Sequence, residues 1–282
     1  MKILTKTITT VLMSSATLGI IPLELGNIAG LGNISIASAQ TQSNDLTSIP
    51  RYADGPCKGQ SPGNCKFDSR TVATVDGRLI ESITAYGKYW NFDINNNYQP
   101  VKGNGSDLNS VSRYANGPCQ GKAPGSCTFD SRTISIINNR QLESITAYGK
   151  FWIYDIKDNY KLVSGGNDLT SVSRYANGPC KGKAPGSCTF DSRTVRTVNG
   201  RLTESITAYG KYWNFDVNNN YQPLSGNGSN LNSVSRYANG PCQGKAADSC
   251  TFDSRTIATI DGRRIESITA YGKFWNFDEK DW

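Results

Sequence analysis

From Arg70 to Val101 apolar and polar residues alternate with the period of a pleated strand, and short groups of Gly, Asn and Asp interrupt the alternation. Arg70 to Val75 is rich in β-branched residues, and Asp76-Gly77 after it is the strongest short signal for a two-residue type I′ hairpin. Leu79 to Tyr86 is the next predicted strand. Its alternation sets Leu79, Glu81, Ile83 and Ala85 on one face and Ile80, Ser82, Thr84 and Tyr86 on the other. Gly87-Lys88 fits a type II′ turn, Tyr89 to Asp93 a third strand, Asn95 to Asn97 a further turn, and Tyr98 to Val101 a short outer strand. Four antiparallel strands within about 35 residues is the content of one propeller blade.

The same pattern is written four times. The first cysteines of successive copies, Cys57, Cys119, Cys180 and Cys242, are 62, 61 and 62 residues apart. Each copy opens on a D/N-L-x-S-x-x-R-Y-A-x-G-P-C segment, at Asp45, Asp107, Asp168 and Asn230, and continues through F-D-S-R-T and E-S-I-T-A-Y-G-K. The I′ signal returns as Asn199-Gly200 and Asp261-Gly262, with Asn138-Asn139 in the second copy. The repeats are placed at 40–105, 106–166, 167–228 and 229–282, each with room for one short helix and a cysteine loop ahead of its strands. A lone unit of about 60 residues is marginally stable, so copies that share a core are favoured. The expected fold is all-β, a four-bladed propeller; the alternative is four small β domains in tandem.

Residues 1–39 read as an export signal: Lys2 and Lys6 precede an apolar stretch from Ile8 to Ile21, and Ala37, Ser38 and Ala39 form a small-residue exit. The apolar stretch is shorter than the ~20 residues that span a bilayer, and nothing later could span one, so the mature protein is expected outside the cell or at its envelope. In that oxidising setting the eight cysteines, spaced identically in every copy, predict four local disulfides: Cys57 with Cys65, Cys119 with Cys127, Cys180 with Cys188 and Cys242 with Cys250. The formal charge of +7 falls to +6 once Lys2, Lys6 and Glu24 leave with residues 1–39, and this excess, spread over all copies with no run of five basic residues, argues against a nucleic-acid partner.

Phe67-Asp68-Ser69 and Gly87-Lys88-Tyr89-Trp90-Asn91-Phe92-Asp93, with equivalents from Phe129 and Gly149, Phe190 and Gly210, and Phe252 and Gly272, resemble the repeats of the hemopexin family. That family also has four repeats. The resemblance spans about 40 residues of each copy and leaves the cysteine loop unexplained; Thr84-Ala85-Tyr86 also departs from the family's aromatic pair, and a disulfide within each copy replaces the single one joining its first and last blades. It implies a central tunnel lined by Asp68, Asp130, Asp191 and Asp253, where such propellers hold small ions. Haem ligation does not carry over, because the chain has no histidine.

The missing histidine also excludes Ser/His/Asp and Cys/His catalysis. A carboxylate pair such as Asp68 and Glu81 is the remaining catalytic option, against a structural salt bridge from Glu81 to Arg70 or Arg78. An enzyme needs unlike groups converging once, whereas here every polar group occurs four times, so no enzyme and no cofactor beyond a central ion are expected. Trp90, Trp152, Trp213 and Trp275, with Tyr86, Tyr148, Tyr209 and Tyr271, suit carbohydrate or protein surfaces, though packing between blades is the plainer role for the tryptophans. The pairs Arg51-Tyr52, Arg113-Tyr114, Arg174-Tyr175 and Arg236-Tyr237 are the candidate binding patch; a cation–π clasp inside the fold fits them equally. The sequence therefore points to a secreted, lectin-like binding protein with repeated equivalent sites for an extracellular glycan or protein. The alternative is a structural envelope or matrix protein without a specific small ligand.

Overall fold

A computed structural model describes residues 43–198 and 200–281, so the export signal read at 1–39 lies outside the described residues. Each copy forms an antiparallel meander of three main strands. The inner strands are Ser69–Val75, Ser131–Ile137, Ser192–Val198 and Ser254–Ile260, and the middle strands Arg78–Ala85, Arg140–Ala147, Arg201–Ala208 and Arg263–Ala270. The third strands are Lys88–Asp93, Lys150–Asp155, Lys211–Asp216 and Lys273–Asp278. In the first blade Ser69 faces Thr84 and Ile83 faces Trp90, and the other blades repeat this register. The inner strands neighbour one another in the cyclic order one, two, three, four, one. The copies thus close into a four-bladed propeller rather than standing apart as tandem domains.

Two turns differ from expectation. The loop after the middle strand is Tyr86-Gly87, not Gly87-Lys88, and both residues have positive φ, 51° and 73°, the signature of a type I′ rather than a II′ turn. A tyrosine is unusual there; its hydroxyl accepts a hydrogen bond from the Lys66 amide at 2.9 Å, which ties the turn to the end of the cysteine loop. The outer strand of the first blade is only Gln99–Pro100, because Asn97 and Tyr98 also have positive φ and form a turn. The second blade instead carries a continuous eight-residue outer strand, Lys161–Asp168, with two register shifts.

The opening segment of each copy forms a wedge between blades. In the first, Leu46–Ser48 makes one 3-10 turn, started by Asp45, whose carboxylate accepts from the Thr47 amide, and Pro50–Ala53 makes one α turn with Pro50 at its first position. The disulfide loop follows, with all four predicted bridges formed. Leu46, Ile49, Tyr52, the disulfide and Phe67 pack on Ile83, Ala85, Trp90 and Phe92 of their own blade, and on Phe274 from the preceding blade. Tyr89, Phe151 and Tyr212 are the corresponding donors to the second, third and fourth cores. A wedge on either side explains why Ile80 to Ala85 is buried without a break although its pattern alternates.

The seam between the last and first copies is built like the other three. Asn44 and Asp45 pair with Phe274 and Lys273, as Ser106 and Asp107 pair with Tyr89 and Lys88. The Leu46 amide donates to the Gly272 carbonyl at 2.9 Å, and Leu108, Leu169 and Leu231 donate to Gly87, Gly149 and Gly210 at 2.8 Å. Gly87 sits so close to the backbone of Gly125 that a Cβ would overlap it, and Gly272 meets Gly63 in the same way. Each sheet therefore takes its outermost residues from the following copy, so the repeating unit of sequence and that of structure are offset.

Candidate functional site

The Arg-Tyr pairs lie inside the fold, and their expected role as an exposed patch is corrected. Tyr52 and Tyr175 are fully buried, and Tyr114 and Tyr237 nearly so. The Tyr52 hydroxyl donates to Glu81 at 2.6 Å; Arg51 Nε donates to the other carboxylate oxygen at 2.7 Å, and Arg70 Nε to the first at 2.6 Å. Arg51 is also stacked between the rings of Tyr52 and Tyr98, 4.3 and 4.0 Å from their centroids. The cation–π clasp is thus the arrangement formed. The reason is Glu81, which faces the wedge from the middle strand and can be buried only with charged donors around it. Burial pushes the Glu81 carboxyl up, but the two guanidiniums and the hydrogen bonds outweigh it and hold the pKa down to about 2. The same network forms on Glu143, Glu204 and Glu266. A carboxylate locked in this way is no general acid, and the salt bridge foreseen with Arg70 is present.

Asp68, Asp130 and Asp191 line the central axis together with Ser69, Arg70 and their equivalents, around a space of only about 10 Å³, and Asp253 is close enough to act electrostatically on Asp68 and Asp191. Each Asp amide donates to the middle strand of its blade, as Asp68 does to Thr84 at 2.8 Å. One carboxylate oxygen of each, Oδ2, is buried without a hydrogen-bond partner. Burial pushes Asp68, Asp130 and Asp191 up to about 7 and Asp253 to about 6; neighbouring aspartates add to the rise at Asp68 and Asp191. Among the described residues no three Asp, Glu or Cys converge closely enough to chelate one metal ion. The donors are hard oxygens suited to a small cation, yet their spacing makes a charged ring and not a chelating cluster.

Open space for a ligand lies on the blade flank. A groove of about 720 Å³ runs between the first wedge and the third strand of the first blade, lined by Trp90, Phe92, Tyr86, Lys58, Lys88 and Asn104 among others. Tyr86 is 41% exposed. Trp90 is buried. Gly55 and Gly105 flank its indole, and a Cβ on Gly55 would press to 2.7 Å from the Arg51 carbonyl. Asn104 is fixed by accepting from the Asn91 amide at 2.6 Å. A smaller cleft of about 280 Å³ separates the first blade from the second wedge, with Ser82, Thr84 and Asn91 facing Arg113 and Tyr160. Lys58, Lys88 and Asn104 were not singled out by the repeat pattern, because only the folded wedge brings them to one groove.

No family model matches the chain, and no curated protein is similar to it in sequence. Solved structures are similar in architecture. The hemopexin-fold protein CP4 from cowpea superposes with a TM-score of 0.51 at 12% identity, covering 76% of this chain and 92% of that one. LS24, a seed albumin from Lathyrus sativus, gives 0.50 at 13% identity, covering 75% and 84%. The fold is the hemopexin fold. At such identities the likeness is one of architecture, and the hemopexin-like propeller described here carries a disulfide in every blade.

Proposed function

We propose that this hemopexin-like propeller is a secreted, non-enzymatic binding protein whose blade flank takes an extracellular glycan. The observation that carries the reading is the groove with Trp90 and Phe92 in its wall, the exposed ring of Tyr86 at its mouth, and hydrogen-bonding groups from Asn104, Gln60, Lys58 and Lys88 around it. An aromatic face with a polar rim suits a sugar ring, which is itself apolar on its faces and polar at its edge. The four disulfides support an oxidising, extracellular setting, and no helix among the described residues is long and apolar enough to cross a membrane. The locked glutamates and the narrow axis support the absence of catalysis, since neither offers a free carboxyl pair to a substrate. The Arg-Tyr pairs act in this reading as positioning residues, holding the wedge that forms one wall.

A glycan array probed with the purified protein tests the proposal. Binding to a defined set of sugars, weakened at least tenfold by Tyr86→Ala, is expected. Retention in cell-wall fractions with no sugar bound on the array would favour a structural envelope role instead.

The axis supports a second reading, a small cation attracted by Asp68, Asp130, Asp191 and Asp253, because their Oδ2 atoms are buried without partners. Millimolar Ca²⁺ or Na⁺ should then raise the melting temperature at pH 8, and an unchanged melt with either ion would dismiss it.

A further inference from the structure

The cleft of about 280 Å³ between the first blade and the second wedge shares no lining residue with the flank groove, and its wall is basic. Arg78, Lys102, Arg113 and Arg132 line it, with Asp76 the one carboxylate among them. Glu143 stands behind Arg113 and Arg132 and is already engaged by both, at 2.7 and 2.6 Å, and by the Tyr114 hydroxyl at 2.7 Å. Four cationic groups therefore meet two carboxylates, and the excess positive charge is unanswered from within the fold.

Two of the arginines retain donors for a guest. Arg113 donates Nε to Glu143 and Nη2 to the Tyr114 hydroxyl, at 2.7 and 2.8 Å, and its plane lies 3.8 Å from the centroid of Tyr160. Its Nη1 makes no hydrogen bond among the described residues, so the group is held in place with one amino group to spare. Arg78 differs from its counterparts. Arg140, Arg201 and Arg263 each pair with an aspartate on the third strand of their own blade, Asp155, Asp216 and Asp278. Arg78 makes no such pair with Asp93, whose Oδ1 is buried without a partner, and lines the cleft instead. Among the described residues it is the one arginine of this position left unpaired. Nearby, Ser82 Oγ donates to Asn91 Oδ1 at 2.6 Å, which orients the amide and leaves Asn91 Nδ2 without a partner.

We infer that this cleft is a binding site separate from the flank groove, and that it takes a monosaccharide-sized sulfate or phosphate ester. Its volume falls just below the ~300–1,000 Å³ of ordinary ligand pockets, which limits the occupant to a molecule with one sugar-sized ring. Arg78, Arg113 and Lys102 would hold the charged group, since three cationic donors match the several oxygens of a tetrahedral ester better than the two of a carboxylate. Asn91 Nδ2 and Ser82 would bond the hydroxyls, with Tyr89 beside the ring. The third blade indicates what closes such a space. Arg196 stands there where the first blade has Ala73, and it feels the charges of Arg255, Glu266 and Tyr237, the counterparts of Arg132, Glu143 and Tyr114. A side chain of the protein thus reaches the region that the small Ala73 leaves open at the first seam.

Isothermal titration calorimetry with glucose 6-sulfate and glucose 6-phosphate, and with glucose and glucuronate as comparisons, tests this. The expected result is one ester per chain, the tighter of the two naming the anion, with glucose and glucuronate each at least tenfold weaker and an affinity that falls as salt is raised. Arg78→Gln should weaken the ester at least fivefold and Ala73→Arg should remove its binding, while Lys181→Gln on the third copy should leave it within twofold. Arg78 is exposed at a strand end, and Ala73→Arg copies an arrangement the third blade already carries, so both variants should fold, which thermal melts verify. Should Ala73→Arg lose its cooperative melt, Arg78→Gln decides alone. Equal binding of glucose or glucuronate, an unchanged affinity in Arg78→Gln, retained binding in folded Ala73→Arg, or no binding of either ester would overturn the inference. None of these outcomes involves Tyr86 or the glycan array, so the flank groove stands or falls separately.

Discussion

Replacing the axial aspartates one at a time by asparagine should stabilise the propeller at pH 8 and leave it unchanged near pH 4. In the folded chain Asp68 titrates at about 7, against an ordinary 3.8, because burial and the nearby Asp130 and Asp253 disfavour its charge. A carboxyl whose folded pKa is raised binds its proton more tightly in the native than in the unfolded state, so stability falls as pH climbs from about 4 through about 7 and is level above that. A shift of about three units at about 1.4 kcal/mol each sets a ceiling of about 4 kcal/mol on the penalty at Asp68. Partial solvent access and the unpartnered amide left by the substitution reduce the gain from Asp68→Asn to about 1–2 kcal/mol. Asp130 and Asp191 stand at about 7 and should behave alike, with a smaller gain at Asp253, which stands at about 6. The assay is urea unfolding followed by tryptophan fluorescence at pH 4 and pH 8, in buffer free of divalent ions. An equal shift of midpoint at both pH values, or no shift at pH 8, would refute the charged-ring account.

Glu81→Gln keeps the shape of the buried network but strips the counter-charge from Arg51 and Arg70, and should cost about 3–5 kcal/mol, read as a lowered urea midpoint. In the wild type the Glu81 carboxyl is held at about 2, so its contribution is present above about pH 4 and fades as pH falls toward 2; the Gln variant should lack that acid limb in a melt-versus-pH series. Gly87→Ala places a Cβ into the backbone of Gly125 and should open the seam between the first two copies, whereas Gly77→Ala, with a similar φ of 75° but free space around it, should cost only about 1 kcal/mol. Arg196 stands where the other blades have Ala73, Ser135 and Ala258, and burial and the adjacent Arg255 lower its pKa to about 9, so Arg196→Ala should raise the melting temperature by a few degrees at pH 7.

The blade was legible because strand alternation and Asp-Gly turns are local signals; Asp76-Gly77 lies where the I′ rule sets it. The cysteine pairs were legible from spacing alone. The Tyr86-Gly87 turn was misplaced by one residue because a tyrosine at positive φ is tolerated only through its hydroxyl bond to Lys66, a contact between distant segments. Arg51 and Tyr52 read as surface groups because arginine usually is one, and only the facing Glu81 and Arg70 make burial possible. The groove escaped notice for a different reason. Its residues come from three separate stretches of the first copy, Arg51 to Gln60, Tyr86 to Phe92 and Tyr98 to Gly105, which only the fold brings to one place.

The offset between sequence repeat and sheet has a genetic consequence. Each wedge is received by the copy before it, and the pairing of Asn44 and Asp45 with the fourth blade makes the first copy the receiver's partner for the last. Unequal recombination that dropped or added a single unit would leave every wedge with a copy before it to receive it, because the closing seam is made like the internal ones. A change in unit number would therefore strain the closing angle of the ring and not the pairing at its seams, so the geometry of closure is what holds this gene at four copies.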